Sequence, residues 1–243
     1  MECTVRTMNA RSLARFMCAA IAAVALPMSL PTQSASAAPC SDIEVVFARG
    51  TVEPGGPLGI TGIAFTESLR LAAIGKSVST YAVNYPASAN FADRLGLAHE
   101  VLDGIKDAQA RVQFIAATCP GTKIVIGGYS QGAVVAGFAT MAGPPPGTPP
   151  EYLQYLPTPM PAEVASHVAA VVLYAKPSDR FMTDAGAPPI VLGPQYAAKS
   201  INFCIAGDNI CNGAPLAQPN ALHVLYVANG DAPAGAGFTM SHL

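Results

Sequence analysis

Five short runs along the chain, Ile43 to Ala48, Ser79 to Asn84, Lys123 to Gly127, Ala169 to Tyr174 and Ser200 to Phe203, are rich in Val, Ile, Ala or Tyr. None alternates cleanly between apolar and polar residues, so each predicts a strand covered on both faces, as in a parallel sheet between two helical layers. Segments with helical spacing lie between them at Gly62 to Ala73, Phe91 to Ala117, Gly132 to Ala142 and Ala162 to Val168. The order β-α-β-α-β-α-β predicts an α/β fold, a three-layer α/β/α sandwich around a central parallel five-stranded sheet. Proline is too frequent from Gly143 to Pro161 for a regular element, and a surface loop is expected there. The Gly, Ala and Pro residues from Asp231 to Gly237 predict at most a short final helix.

The pattern changes ahead of the first strand. Arg6, Arg11 and Arg15 precede an apolar core from Phe16 to Leu30, and Ala35-Ser36-Ala37 follows as a small-residue cleavage site. Residues 1 to 37 therefore read as a secretory signal peptide, with a mature single domain from Ala38 to Leu243. Pro27 interrupts the core, which falls short of the roughly 20 residues needed to span a bilayer. No other long apolar segment follows, so no transmembrane segment is expected in the mature chain, and an extracellular protein is.

Export gives the cysteines a meaning. Cys3 and Cys18 leave with the signal, and Cys40, Cys119, Cys204 and Cys211 remain. An even set in an oxidising compartment predicts two disulfides. Three pairings are open to four cysteines; the short gap favours Cys204 with Cys211, which leaves Cys40 with Cys119. Chain entropy assigns roughly 4.5 kcal/mol to the long loop and about 2.5 kcal/mol to the short one. The formal net charge of −2 becomes more negative once three arginines and Glu2 are removed, so nucleic-acid binding has no electrostatic support.

The candidate chemistry centres on Gly128-Tyr129-Ser130-Gln131-Gly132, which lies between the apolar Ile124-Val125-Ile126 and the helical Ala133 to Phe138. Gly-x-Ser-x-Gly between strand and helix is a nucleophile elbow, in which the glycines allow a tight corner that lifts the serine above the sheet edge. The N–H of Gln131 then starts a helix, where unpaired donors favour negative charge. A serine hydroxyl needs a histidine to take its proton and a carboxylate to orient that histidine. With the order Ser, acid, His, His99 drops out and His167, His223 and His242 remain. His167 sits in a helical segment and His242 at a fraying terminus, whereas His223 follows the last strand after a loop rich in Gly, Pro and Asn. Asp179, Asp184 and Asp208 all lie between Ser130 and His223, but only Asp208 falls after the last strand and inside the Cys204 to Cys211 loop. A bridge there would hold a carboxylate in place. The competing role for Asp208 is a turn residue at the Gly207-Asp208-Asn209 corner.

The run Cys40 to Thr51, ending Ala48-Arg49-Gly50-Thr51, the Gly128 to Gly132 elbow, and Cys204-x3-Asp208-x2-Cys211 with His223 downstream resemble the cutinase family, especially its actinobacterial cutinase-like serine esterases. The resemblance covers nearly all of the mature chain and implies a minimal α/β-hydrolase fold with Ser130 as nucleophile, Asp208 and His223 as its partners, and the two disulfides above. It places Thr51 where a Ser or Thr completes an oxyanion hole with Gln131. The implied reaction is hydrolysis of fatty acyl esters through an acyl-enzyme. The implied substrate is a small-molecule or lipid ester, with transient contact with lipid surfaces.

Two rival readings share this constellation: a lipid thioesterase or acyltransferase using the same three residues, and an inactive secreted binding protein on a hydrolase scaffold. Gly75-Lys76-Ser77 has the end of a phosphate loop, but Arg70 stands where the first glycine is required. His-Glu-x-x-His and Cys-x-x-Cys do not occur, so neither a metal nor a cofactor is expected.

Overall fold

The computed structural model describes residues 40–146, 148, 150 and 153–243, and the leader expected over residues 1 to 37 lies outside them. Among the described residues, β1 (Ile43–Ala48), β2 (Val78–Ala82), β3 (Lys123–Tyr129), β4 (Val168–Tyr174) and β5 (Ser200–Phe203) form one parallel sheet in the spatial order β2-β1-β3-β4-β5. Val45 pairs with Thr80 on one side and Val125 on the other, and Val172 pairs with Ile201. Residues of β1 and β4 are buried throughout, whereas the edge strands β2 and β5 are half-exposed. The central runs lack alternation because both of their faces are covered.

Successive side chains leave a strand on opposite faces. Val46, Ile126, Val171 and Leu173 face one layer, where Ile105 and Val112 of α2 (Arg94–Thr118) and Val135 of α3 (Gln131–Ala139) meet them. On the other face Val45, Phe47, Val125 and Tyr174 pack against Phe65 and Leu69 of α1 (Gly59–Ala72) and Ala236 of α6 (Asp231–Met240). The final helix is thus longer than its composition predicts. Ala232, Gly235, Ala236 and Thr239 form its buried face, and a Cβ on Gly235 would strike the Tyr174 hydroxyl. Gly235 and Gly237 weaken the helix in isolation, but Gly235 permits this close approach, so packing outweighs propensity.

The expected helix at Ala162 to Val168 is a 3-10 helix over Ala162–His167. Two short helices between the last strands, α4 (Asp179–Asp184) and α5 (Pro194–Ala197), have no counterpart in the sequence reading. Ser178 starts α4 by accepting the Phe181 N–H at 3.2 Å, a cap that a one-and-a-half-turn helix makes hard to see as periodicity. In the proline-rich stretch Tyr155 lies against His99 of α2, with ring centroids 6.0 Å apart.

The chain leaves β1 for β2 through α1 in one layer, then returns past β1 to β3 through α2 in the other. The connections that follow β1 and β3 therefore diverge at the carboxyl edge, the switch point where parallel sheets open a crevice. At the opposite, amino edge, the Cys40–Cys119 disulfide ties the residue group before β1 to the end of α2, with Cα atoms 5.6 Å apart.

Candidate active site

Four connections meet above the crevice. After β3, Ser130 occupies the corner before α3 with φ 54° and ψ −116°, a left-handed conformation that L-residues rarely adopt. Its N–H donates to the Tyr174 carbonyl at 2.9 Å. The two glycines of the elbow are required by close approach. A Cβ on Gly128 would run into the Gly132 carbonyl, and a Cβ on Gly132 into the carbonyls of Ala48 and Arg49. That second approach brings the start of α3 against the loop after β1, so Thr51 stands beside Gln131 and its Oγ1 lies 3.2 Å from Gln131 Oε1.

Behind Thr51 the loop is held by a residue the sequence reading passed over. The buried Glu53 carboxylate accepts the Gly50 N–H at 2.7 Å and the Thr61 N–H at 2.8 Å, joining the loop to the first turn of α1. The Tyr85 hydroxyl donates to the Arg49 carbonyl, and the Val52 N–H donates to Ala87 at 2.8 Å. Val52 itself has φ 42°. A strained loop fixed from three sides presents Thr51 in one geometry.

The last two connections supply the remaining groups. His223 lies in a 3-10 helix over Ala221–Val227 that starts with the Asn220 side chain accepting the Leu222 N–H. Its Nε2 is 2.9 Å from Ser130 Oγ, and its Nδ1 is 2.9 Å and 3.1 Å from the two Asp208 oxygens. Asp208 is fully buried in the loop closed by the Cys204–Cys211 disulfide. Its Oδ1 also accepts the Ile210 N–H at 3.0 Å, so the turn-forming role and the bond to histidine are filled by one carboxylate. Asn220 locks the two connections together: its N–H donates to Asn209 Oδ1 and its Nδ2 to the Gly207 carbonyl.

Two tyrosines complete the cluster. The Tyr129 hydroxyl donates to the His223 carbonyl at 2.6 Å, and its ring centroid lies 5.2 Å from the imidazole. Tyr226 donates to Asp208 Oδ2 at 2.7 Å. Burial pushes the Asp208 carboxyl up, but hydrogen bonds from His223, Tyr226 and the Ile210 N–H outweigh it and hold the group below the usual carboxylate range. Burial pushes the phenols of Tyr129 and Tyr226 up, so both keep their protons at working pH.

The other histidines stand apart in their bonding. His99 contacts Tyr155, His167 ends the 3-10 helix before β4, and His242 stacks on Phe238 with ring centroids 4.2 Å apart. Among the described residues His223 is the histidine bonded to the Ser130 hydroxyl. No group of three or more His, Cys, Asp or Glu residues among them is arranged to hold a metal ion. No helix among them is long and apolar enough to cross a membrane.

A serine linked through an imidazole to a buried carboxylate, raised on a strained elbow at the switch point of a parallel sheet, defines a serine hydrolase of the α/β type. The chain belongs to the cutinase family, whose model matches residues 39–243. It is 40% identical over 240 residues to the carboxylesterase Culp1 of Mycobacterium tuberculosis, covering 97% of this chain and 98% of that one. It is 48% identical over 170 residues to the probable carboxylesterase Culp7 of the same organism, covering 69% and 86%. Among solved structures, a Trichoderma reesei cutinase in complex with a phosphonate inhibitor superposes with a TM-score of 0.60 at 29% identity, covering 84% of this chain and 77% of that one.

Proposed function

We propose that this chain, a carboxylic ester hydrolase of the cutinase family, cleaves fatty acyl esters through an acyl-enzyme on Ser130. The observation that carries the reading is the unbroken hydrogen-bonded path from Ser130 Oγ through His223 to Asp208. Ser130 Oγ attacks the ester carbonyl carbon as its proton passes to His223 Nε2, and Asp208 holds Nδ1–H so that Nε2 is the free base. The oxyanion that forms lies between the Gln131 N–H and Thr51. Gln131 Nε2 is buried without a hydrogen-bond partner. Turning that amide would let Nε2 donate to Thr51 Oγ1 and release the threonine proton toward the oxyanion. Collapse of this intermediate expels the alcohol with the proton from His223. Water then attacks the acyl-enzyme with His223 again as base, releasing the acid and restoring Ser130.

An apolar rim favours an acyl chain. Val52 beside Thr51 and Val224 and Leu225 beside His223 are exposed, and none of the three bears a charge. Short and medium acyl chains follow from the family resemblance, and transient contact with a lipid surface would cover these exposed side chains. We also propose that the protein works outside the cell, since the leader pattern at residues 1 to 37 and two disulfides both suit an oxidising compartment.

The test is a series of p-nitrophenyl esters from acetate to palmitate offered to the mature, oxidised protein. Turnover highest on the short and medium esters is expected. A folded, oxidised protein that cleaves none of them would overturn the reading in favour of a binding role. The short disulfide supplies a second prediction. Replacing Cys204 and Cys211 together by alanine is expected to lower kcat by tenfold or more while removing no more than about 2.5 kcal/mol of stability. Steady-state kinetics beside urea unfolding checks this, and unchanged kcat would show that Asp208 stays in place without the bridge.

A further inference from the structure

The carboxylate that orients His223 is itself held by a residue outside the Ser, His and Asp set. From this geometry we infer that Tyr226 is a positioning residue for turnover, its hydroxyl fixing Asp208 through Oδ2, the oxygen nearest His223 Nδ1. This rests on the reading of Ser130, His223 and Asp208 as the reacting set.

The direction of the bond is determined by what surrounds the hydroxyl. Tyr226 Oη accepts the Ile205 N–H at 3.0 Å, so its own proton is left for another acceptor. The other neighbour is Cys211 Sγ at 3.4 Å, a disulfide sulfur and a poor acceptor beside a carboxylate at 2.7 Å. Tyr226 is 1% exposed, and its ring lies among those of Tyr129, Tyr174 and His223. Oδ2 thus takes donors from Tyr226 and His223, while Oδ1 takes the Ile210 N–H. Rotation of the carboxylate would break the Tyr226 and Ile210 bonds together. When His223 carries the serine proton, those two donors keep the negative charge on Asp208, so the proton stays on the imidazole for the leaving alcohol.

Tyr226 also sits three residues after His223 in the same 3-10 helix, where positions three apart share one side. One short element therefore carries the base and the clamp for its orienting acid. The other titratable groups facing this cluster are Tyr129 from the end of β3, Glu53 from the loop after β1 and Asp231 from the start of α6.

The experiment compares Tyr226→Phe, Asp208→Asn, the double variant and Ser130→Ala by pH-dependent steady-state kinetics on a short p-nitrophenyl ester. Tyr226→Phe keeps the ring and removes the donor, and kcat is expected to fall about tenfold with KM within about twofold. With one donor fewer, the Asp208 carboxylate binds the imidazolium more strongly, so the acid limb of kcat/KM moves to higher pH. In the Asp208→Asn background the tyrosine change is expected to cost nothing further.

Fluorinating the ring of Tyr226 makes its hydroxyl a stronger donor and is expected to move the acid limb to lower pH, a readout that does not depend on Tyr226→Phe folding. A merely structural role would leave the limb in place in both variants. That result, unchanged kcat, or an equal loss in the Asp208→Asn background would overturn the inference. Turnover that survives Ser130→Ala would instead overturn the reading of the site on which it rests.

Discussion

Ser130→Ala is expected to reduce kcat by about 10⁴-fold or more, because nucleophile and base act as a unit and what remains comes from the oxyanion donors and substrate binding alone. Its fold should persist, since the elbow is set by the close approach of β1, β3 and α3 rather than by the hydroxyl. A more discriminating comparison is with Ser130→Gly. At φ 54° and ψ −116° any L side chain is strained, and strain of this kind costs on the order of 1–3 kcal/mol. Alanine keeps that strain; glycine releases it. The two variants should be equally inactive, yet the glycine variant should unfold at higher denaturant, by about 1 kcal/mol after glycine's extra chain entropy is counted. Urea unfolding of the pair, read beside ester hydrolysis, measures how much stability the elbow gives up for its nucleophile. Equal midpoints would show that the corner is not strained.

Gly132→Ala should produce the largest structural effect. The added methyl would meet the backbone carbonyls of Ala48 and Arg49, neither of which can turn aside like a flexible side chain. Relief requires α3 to move away from the loop after β1, the contact that places Thr51 beside Gln131. A stability loss of about 3–5 kcal/mol is expected, with kcat falling by at least about 10² as the oxyanion donors separate. Gly237→Ala is the control. It lies on the exposed side of α6 with nothing within reach of a new Cβ, so the same substitution should there add about 0.5–1 kcal/mol. Thermal unfolding of both variants tests the contrast, and similar midpoints would remove the steric account of Gly132.

What the sequence made legible, and what it did not, divides by the range of the interaction. Ile43 to Ala48 is readable to the residue because a central strand covered on both faces carries an almost uninterrupted apolar run. Ser130 is readable because its elbow is local, with both glycines within two positions. Asp208 and His223 needed elimination among a few acids and four histidines, helped by the cysteines on either side of Asp208.

Tyr129 and Glu53 gave no signal, since their roles depend on partners placed by the fold: Tyr129 reaches a residue 94 positions away. Tyr226 offered a fainter one, its three-residue spacing from His223, which becomes informative only once that segment is known to be a 3-10 helix. The final helix was underestimated for the reverse reason. Its glycines are poor helix formers alone, but Gly235 is what allows it to lie against Tyr174.

The Cys40–Cys119 bridge has a practical meaning for presentation of the enzyme. It fastens the segment just before β1 to the end of α2 at the amino edge of the sheet, while Ser130 opens at the carboxyl edge. A solid support or fusion partner joined just ahead of Cys40 would pull on the far side of the molecule, and the covalent staple would carry the load into α2 rather than peel β1 from the sheet. Immobilised this way, the protein would keep its elbow turned outward toward an ester substrate.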